Sequence, residues 1–576
     1  MLRKLWFLVI ATVLIVAGCE KDDNGPNPTG SNKIAITLQN APMLQNGFHY
    51  EGWAIIDGNP VSTGKFNVNS NGDITDLNNN VIMGGEFSTN TDISDASAVV
   101  LTIEPDGDND TTPAETHVLA GDVQNKAATL TAGNSKALGN DFSGAMGDYI
   151  LATPTNGGGT NENSGIWFLH PPTTMFTFSF TGLTPLMNGY HYEGWAIVDG
   201  SPVTTGKFNL NSSGDLVDLD GNMIDNGEFT VVGDLSGATD IVLTIEPPND
   251  NDPAPAATHY LGGTVSNNTA DLSTASLHAF GTDFSSASGK YILATPTNGP
   301  NTDENSGIWF LDLSTGSTAQ ALMLPALPAG WQYEGWTVIN GTPVTSGRFM
   351  SGDMADFDDP YSSTQSPPHF PGEDYLVNAP AGLTFPTDIA GGTAVVSIEP
   401  EPDDDPAPFA LKPLVGMIPS DAVDHVTYDM NNNISNFPGG TVSMTVMAPM
   451  AALQLASLPS GWKYEGWAVI NGTPVTSGKF TAADMADESA PYSSTMPAPP
   501  FPGEDYLTNA PAGLTFPTDL SGGMAVISIE PDPDDDPAPF AFKPLVGMIP
   551  SNAMDHTVYN MNSNITSFFS GTATIK

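Results

Sequence analysis

The sequence predicts an all-β protein built as four tandem antiparallel β-sandwich domains in two pairs, in the order A-A-B-B. Three observations predict it. One stretch is spelled four times, from Tyr50 to Phe66, Tyr192 to Phe208, Tyr333 to Phe349 and Tyr464 to Phe480. Each copy reads as two short strands around an Asn/Asp-Gly turn, and a repeat of this length marks an array of related units. A second landmark follows each copy, an apolar run ending in Ile-Glu-Pro at Glu104, Glu246, Glu399 and Glu530. Finally, 59 Gly and 49 Pro punctuate short β-branched runs, and no amphipathic helix longer than two turns is legible.

The central tryptophans Trp53, Trp195, Trp336 and Trp467 recur 142, 141 and 131 residues apart. From Trp to the Ile-Glu-Pro glutamate is 51 residues in the first two copies and 63 in the last two, so the B copies carry an insertion rich in Pro, Ser and Asp. The A copies close on Tyr149 to Leu169 and Tyr291 to Leu311, read as a strand, a Gly/Asn loop and an edge strand; the B copies close on Gly440 to Met444 and Gly571 to Ile575. Domains at 34–171, 172–315, 316–446 and 447–576 follow, each with roughly seven strands. Within the hairpin, Glu51, Trp53 and Ile55 share a face. A four-residue loop from Asp57 to Pro60 would set Trp53 opposite Gly64. The four tryptophans are expected in the structural core.

Arg3 and Lys4 precede an apolar run from Leu5 to Val16 that ends Val16-Ala17-Gly18-Cys19, the chain's one cysteine. The pattern resembles a bacterial lipobox. It implies a signal peptide at 1–18, cleavage before Cys19 and diacylglycerol on its sulfur. A Gly/Pro/Asn tether then runs over 19–33. Lys21, Asp22 and Asp23 at its head resemble the export signal of surface lipoproteins. The expected location is the outer membrane, lipid-anchored and cell-surface exposed. A single cysteine leaves no internal disulfide. A formal net charge of −50 repels nucleic acid and anionic membranes, so contact with the membrane would run through the lipid.

The hairpin pattern Tyr-x-x-Trp-x-x-x-Asp/Asn-Gly-x-Pro-Val-x-x-Gly-x-Phe, then Ile-Glu-Pro and a polar loop before Leu119-Ala120-Gly121, resembles the extracytoplasmic C-terminal domain of anti-sigma-K factors. The resemblance implies a β-rich extracytoplasmic domain, here four times over. The family's separate sigma-binding module and its zinc motif have no counterpart in this sequence, so sigma-factor inhibition is not carried over.

Acidic loops follow each Glu-Pro: Asp106, Asp108 and Asp110; Asp250 and Asp252; Asp403, Asp404 and Asp405; Asp534, Asp535 and Asp536. Two readings stand. They are solvated loops of an acidic protein, or carboxylates gathered for a hard cation such as calcium. No other cofactor is expected. Glu51, Glu193, Glu334 and Glu465 recur in register with Lys65, Lys207, Arg348 and Lys479, which points to an ion pair at each hairpin. The near-identical segments from Phe370 to Asp388 and Phe501 to Asp519 read either as a recent duplication or as an exposed aromatic and acidic binding loop. No nucleophile motif, phosphate loop or close His/Cys cluster appears. The expected function is non-catalytic: a cell-envelope lipoprotein for binding, adhesion or envelope sensing, with a protein or glycan partner. The alternatives are a component of anti-sigma-type signalling and a hydrolase acting on surface glycans.

Overall fold

Two residues with positive φ, Asp57 (50°) and Gly58 (81°), close the first hairpin, joining strand His49–Ile56 to strand Asn59–Val68. Such a turn matches the twist of the flanking strands and needs a residue without Cβ strain at its second position. The computed structural model describes residues 31–576 apart from 158, 301, 404 and 535. The signal peptide, Cys19, Lys21, Asp22, Asp23, most of the tether, Asp404 and Asp535 lie outside the described residues. Among those described, no helix is long and apolar enough to cross a membrane.

The turn is shorter than the sequence reading had it, and the register moves accordingly. Ile56 pairs with Asn59, Trp53 faces Ser62, and a bulge then brings Gly52 opposite Gly64. Trp53 therefore does not cover Gly64. That glycine, at φ +133°, lies under the Phe87 ring, which a Cβ would meet at 2.9 Å. All four tryptophans are buried, Trp53 and Trp195 to 1% exposure. They lie on the opposite face of the sheet from Tyr50 and Ala54; Trp53 packs with Val100, Ala120 and Ala137 in a small cluster of its own.

Each hairpin founds an antiparallel sheet. In the first repeat, Ala98–Glu104 pairs with His49–Ile56, and His117–Asp122 pairs with Ala98–Glu104. The second sheet of this repeat takes a strand from the far end of the chain. Its order is Glu86–Ser88, Lys33–Gln39, Ser570–Ile575, Ala127–Leu130. Ile34 meets Ile575, Ile36 meets Ala573 and Leu38 meets Gly571. The fourth repeat is completed in return by the first. Strands Met146–Leu151 and Gly165–Trp167 form one sheet with Leu453–Gln454 and Gly503–Asp505. Phe168 packs on the hairpin of the fourth repeat, where a Cβ on Gly466 would lie 2.8 Å from its ring.

The second and third repeats exchange strands in the same way. Gly439–Met447 inserts between Thr173–Thr181 and Thr269–Ser273 in a nine-stranded sheet, and Gly289–Leu293 and Gly307–Trp309 join an eight-stranded sheet of the third repeat. The described residues thus form two compact units: those through Leu169 with Ala451–Lys576, and His170–Met450. Each has a large apolar core fed by an A and a B repeat, with smaller clusters beside it. The expected boundaries near 171 and 446 fall within a few residues of the passages between units at Leu169/His170 and Met450/Ala451, whereas the one near 315 lies inside the second unit, and a serial assignment separates strands that pair. The closing segments of each repeat serve its partner and not itself, so the sandwiches are discontinuous in sequence.

The B insertion is what holds the crossing A segment. Gly165, Ile166 and Trp167 pair with Asp505, Glu504 and Gly503. Asp505, fully buried, accepts from the Thr155 amide at 2.8 Å, the Thr155 hydroxyl at 2.5 Å and Trp167 Nε1 at 2.7 Å. Asp374 does the same for Thr297 and Trp309. Glu373, Asp374 and Tyr375 are fully buried, as are Glu504, Asp505 and Tyr506 of the fourth repeat. The acidic and aromatic head of this segment, Glu373 to Tyr375, is an internal clamp and not exposed, while the rest of it, 376–388, is half-buried or exposed.

Candidate functional site

The alternation that buries Trp53 also places Glu51 on its face of the hairpin strand, and Thr102 and Glu104 come from the neighbouring strand. Trp53 Nε1 donates to Thr102 Oγ1 at 2.9 Å, and that hydroxyl donates in turn to Glu104. The loop after Glu-Pro folds back so that Asp108 reaches the same spot, with Lys65 at 2.8 Å from Asp108 and 3.6 Å from Glu51. Two buried glutamates, one loop aspartate and one ammonium therefore meet in the first repeat. Lys207, Glu193, Glu246 and Asp250 repeat it in the second, with the ammonium 3.4 Å from Glu193 and 3.0 Å from Asp250.

The B repeats keep the carboxylates and change how the cation pairs. Arg348 turns away to Asp358 at 3.1 Å. Lys479 pairs with Asp534 at 3.1 Å, and among the described residues no ion pair joins it to Glu465. Burial then dominates the titration of the glutamates. It pushes Glu334 and Glu465 up to about 7, and Glu399 and Glu530 up to about 8. In the first repeat the hydrogen bond from Lys65 holds Asp108 below the usual carboxylate range.

The acidic loops expected as calcium ligands thus divide. Asp108, Asp250, Asp403 and Asp534 are half-buried, whereas Asp106, Asp110, Asp252, Asp405 and Asp536 are exposed. The exposed Asp110, Asp252, Asp405 and Asp536 cap turns of their own loops, as Asp536 does for the Ala538 amide at 3.1 Å. The ion pair expected between Lys65 and Glu51 forms in both A repeats and is replaced in the B repeats. Sequence reasoning missed the partnership of the Ile-Glu-Pro glutamates with the hairpin glutamates; their recurrence after every hairpin, 51 residues past the tryptophan in the A copies and 63 in the B copies, was the available signal.

A second set of buried carboxyls surrounds the clamp. Burial pushes Asp356 and Glu373 up to about 8, Asp487 to about 6 and Glu504 to about 7. Each holds its proton to higher pH in the folded chain than in the unfolded one. The folded state therefore binds more protons between the ordinary carboxyl value near 4 and these raised values, and stability falls as pH rises from about 4 to about 8. Urea midpoints are expected to be higher at about pH 5.5 than at about pH 8.5, with a net loss on the order of several kcal/mol in each unit. The isosteric Glu373→Gln is expected to flatten the slope for His170–Met450. A midpoint that rises with pH would contradict this assignment.

No protein-family model, curated protein or solved structure matches the chain.

Proposed function

We propose that this protein is a non-catalytic lipoprotein of a bacterial envelope that displays its two strand-exchanged units at the cell surface to bind a protein or glycan partner. The observation that carries the non-catalytic part is the placement of the shifted carboxyls. Glu373, Asp374, Glu504 and Asp505 are fully buried, and Glu504 and Asp505 are bonded to Ser493, Tyr492, Thr155 and Trp167, which supports a role for them in the fold. The address rests on Val16-Ala17-Gly18-Cys19 and on Lys21, Asp22 and Asp23. Three acyl chains on Cys19 would anchor the chain stably, since one chain alone binds a membrane only marginally. The net charge of −50 would keep the units off an anionic surface.

Surface proteolysis of intact cells tests the reading. Wild type is shaved, Cys19→Ala is released from the membrane, and the Lys21, Asp22 and Asp23 to Ala triple variant stays lipidated and protected. Wild-type protein that resists the protease while a surface marker is cut would overturn the surface assignment. A glycan and protein array probed with the mature chain reads the partner class, and turnover of an arrayed glycan would overturn the non-catalytic part.

A further inference from the structure

We propose that the fourth repeat holds a divalent-cation site made by Glu465, Glu530 and Asp534. One carboxylate oxygen from each lies within 4.8 Å of the others. Calcium-class ions take oxygen ligands at 2.3–2.6 Å, so two ligands of one ion stand at most about 5 Å apart. The three groups come from three different places: the hairpin strand Trp462–Ile470, the strand Met524–Pro531 and the loop behind it. Folding, and not the local sequence, brings them together.

Two of these ligands are buried with an oxygen left over. Glu465 is 4% exposed and Glu530 1% exposed, and Oε2 of each has no hydrogen-bond partner. Oε1 of Glu530 is occupied by the Phe540 amide at 2.9 Å, so its free oxygen is held in a fixed direction. An unpartnered buried carboxylate oxygen is costly, and an ion that accepts all three removes that cost. The formal charges agree: three carboxylates against the one ammonium of Lys479 leave two negative charges when ionised. The first two repeats differ where it matters. There the lysine bridges hairpin glutamate and loop aspartate and fills the role itself.

Asp534, the least buried of the three, also lines a cavity. That cavity, of about 250 Å³, is lined as well by Pro531, Pro533, Asp536 and Phe540 together with Leu44 and Phe48 of the first repeat. Trp467 stands close by in the same face of the hairpin, its Nε1 donating to Ser528 Oγ at 2.7 Å. It can sensitise a lanthanide bound at the site.

Terbium titration of the full mature chain, excited through tryptophan, tests the proposal. The expected result is saturable sensitised emission from about one tight site per chain, reversed by calcium. Glu530→Gln and Asp534→Asn are expected to abolish that emission at terbium concentrations that saturate wild type. Asp536→Asn, on the exposed part of the same loop, and Glu246→Gln, in the second repeat, are expected to leave it unchanged. Near-UV circular dichroism checks that each variant is folded, and the isosteric Glu465→Gln carries the test if Glu530→Gln does not fold. Emission that survives Glu465→Gln or Glu530→Gln in a folded chain, or is lost in Asp536→Asn alone, would assign terbium to surface carboxylates and overturn the proposal.

Discussion

Removal of Ser570–Ile575 and the residue after it is expected to unfold the first repeat, at the opposite end of the sequence. These six residues lie between Lys33–Gln39 and Ala127–Leu130 and pair with both. Without them two strands lose a hydrogen-bonded neighbour at once. Ala573 and Ile575, at 1% and 3% exposure, also leave the core, and their former neighbours Ile34 and Ile36 meet water. A buried backbone group left unpaired costs about 1–3 kcal/mol, and a whole domain is stable by only about 5–15 kcal/mol. A loss on the order of 5 kcal/mol or more is therefore expected. Hydrogen exchange reads it by segment: Lys33–Gln39 and Ala127–Leu130 lose protection, while Thr173–Thr181 keeps it through its own pairing with Gly439–Met447. Unchanged protection at Lys33–Gln39 would contradict the strand order.

Asp505→Ala is expected to be nearly as damaging although it removes only a short side chain. Its carboxylate accepts from three buried donors, the Thr155 amide and hydroxyl and Trp167 Nε1. Alanine leaves all three without a partner, at roughly 1–3 kcal/mol each and about 3–6 kcal/mol together. The loss falls on the joint between the crossing segment of the first repeat and the insertion of the fourth. Denaturation is expected to shift the transition of the unit holding Asp505 and to leave that of His170–Met450 in place. Asp505→Asn, which keeps one acceptor oxygen, is expected to fall between wild type and alanine. A shift under about 1 kcal/mol for Asp505→Ala would show that the clamp contributes little.

Local features were legible because they are fixed by neighbours in sequence. Asp57-Gly58 announces its turn, the alternation around Trp53 announces its burial, and the longer spacing before Glu399 announces the insertion. The pairing of repeats was not legible. Ser570–Ile575 is a six-residue strand with alternating burial, and nothing in such a strand says that its partner is Lys33–Gln39. Only an asymmetry hinted at it. The A repeats end on a Tyr-Ile-Leu to Ile-Trp-Phe-Leu segment that the B repeats lack, and each type turns out to need the ending of the other. The same long-range closure hides the carboxylate site. Glu465, Glu530 and Asp534 were each noted, but as a hairpin ion pair, a strand end and an acidic loop. Contrary to the serial reading, a core mutation in one repeat, such as Trp195→Ala, should be felt by its exchanged partner as well.

A single engineered disulfide tests the strand exchange most directly. Thr37 and Thr572 face each other in register, their hydroxyls 2.7 Å apart on the exposed side of the sheet and 535 residues apart in sequence. Opposed residues of an antiparallel pair stand about 4.5–5.5 Å apart at Cα, within the range a disulfide spans. In a Cys19→Ser background, Thr37→Cys with Thr572→Cys is expected to oxidise within the folded monomer. The product is a closed loop of nearly the whole chain, seen as a reductant-sensitive change in gel mobility. If both thiols stay free in folded, oxidant-treated protein, the first and last strands are not neighbours and the exchanged architecture is wrong.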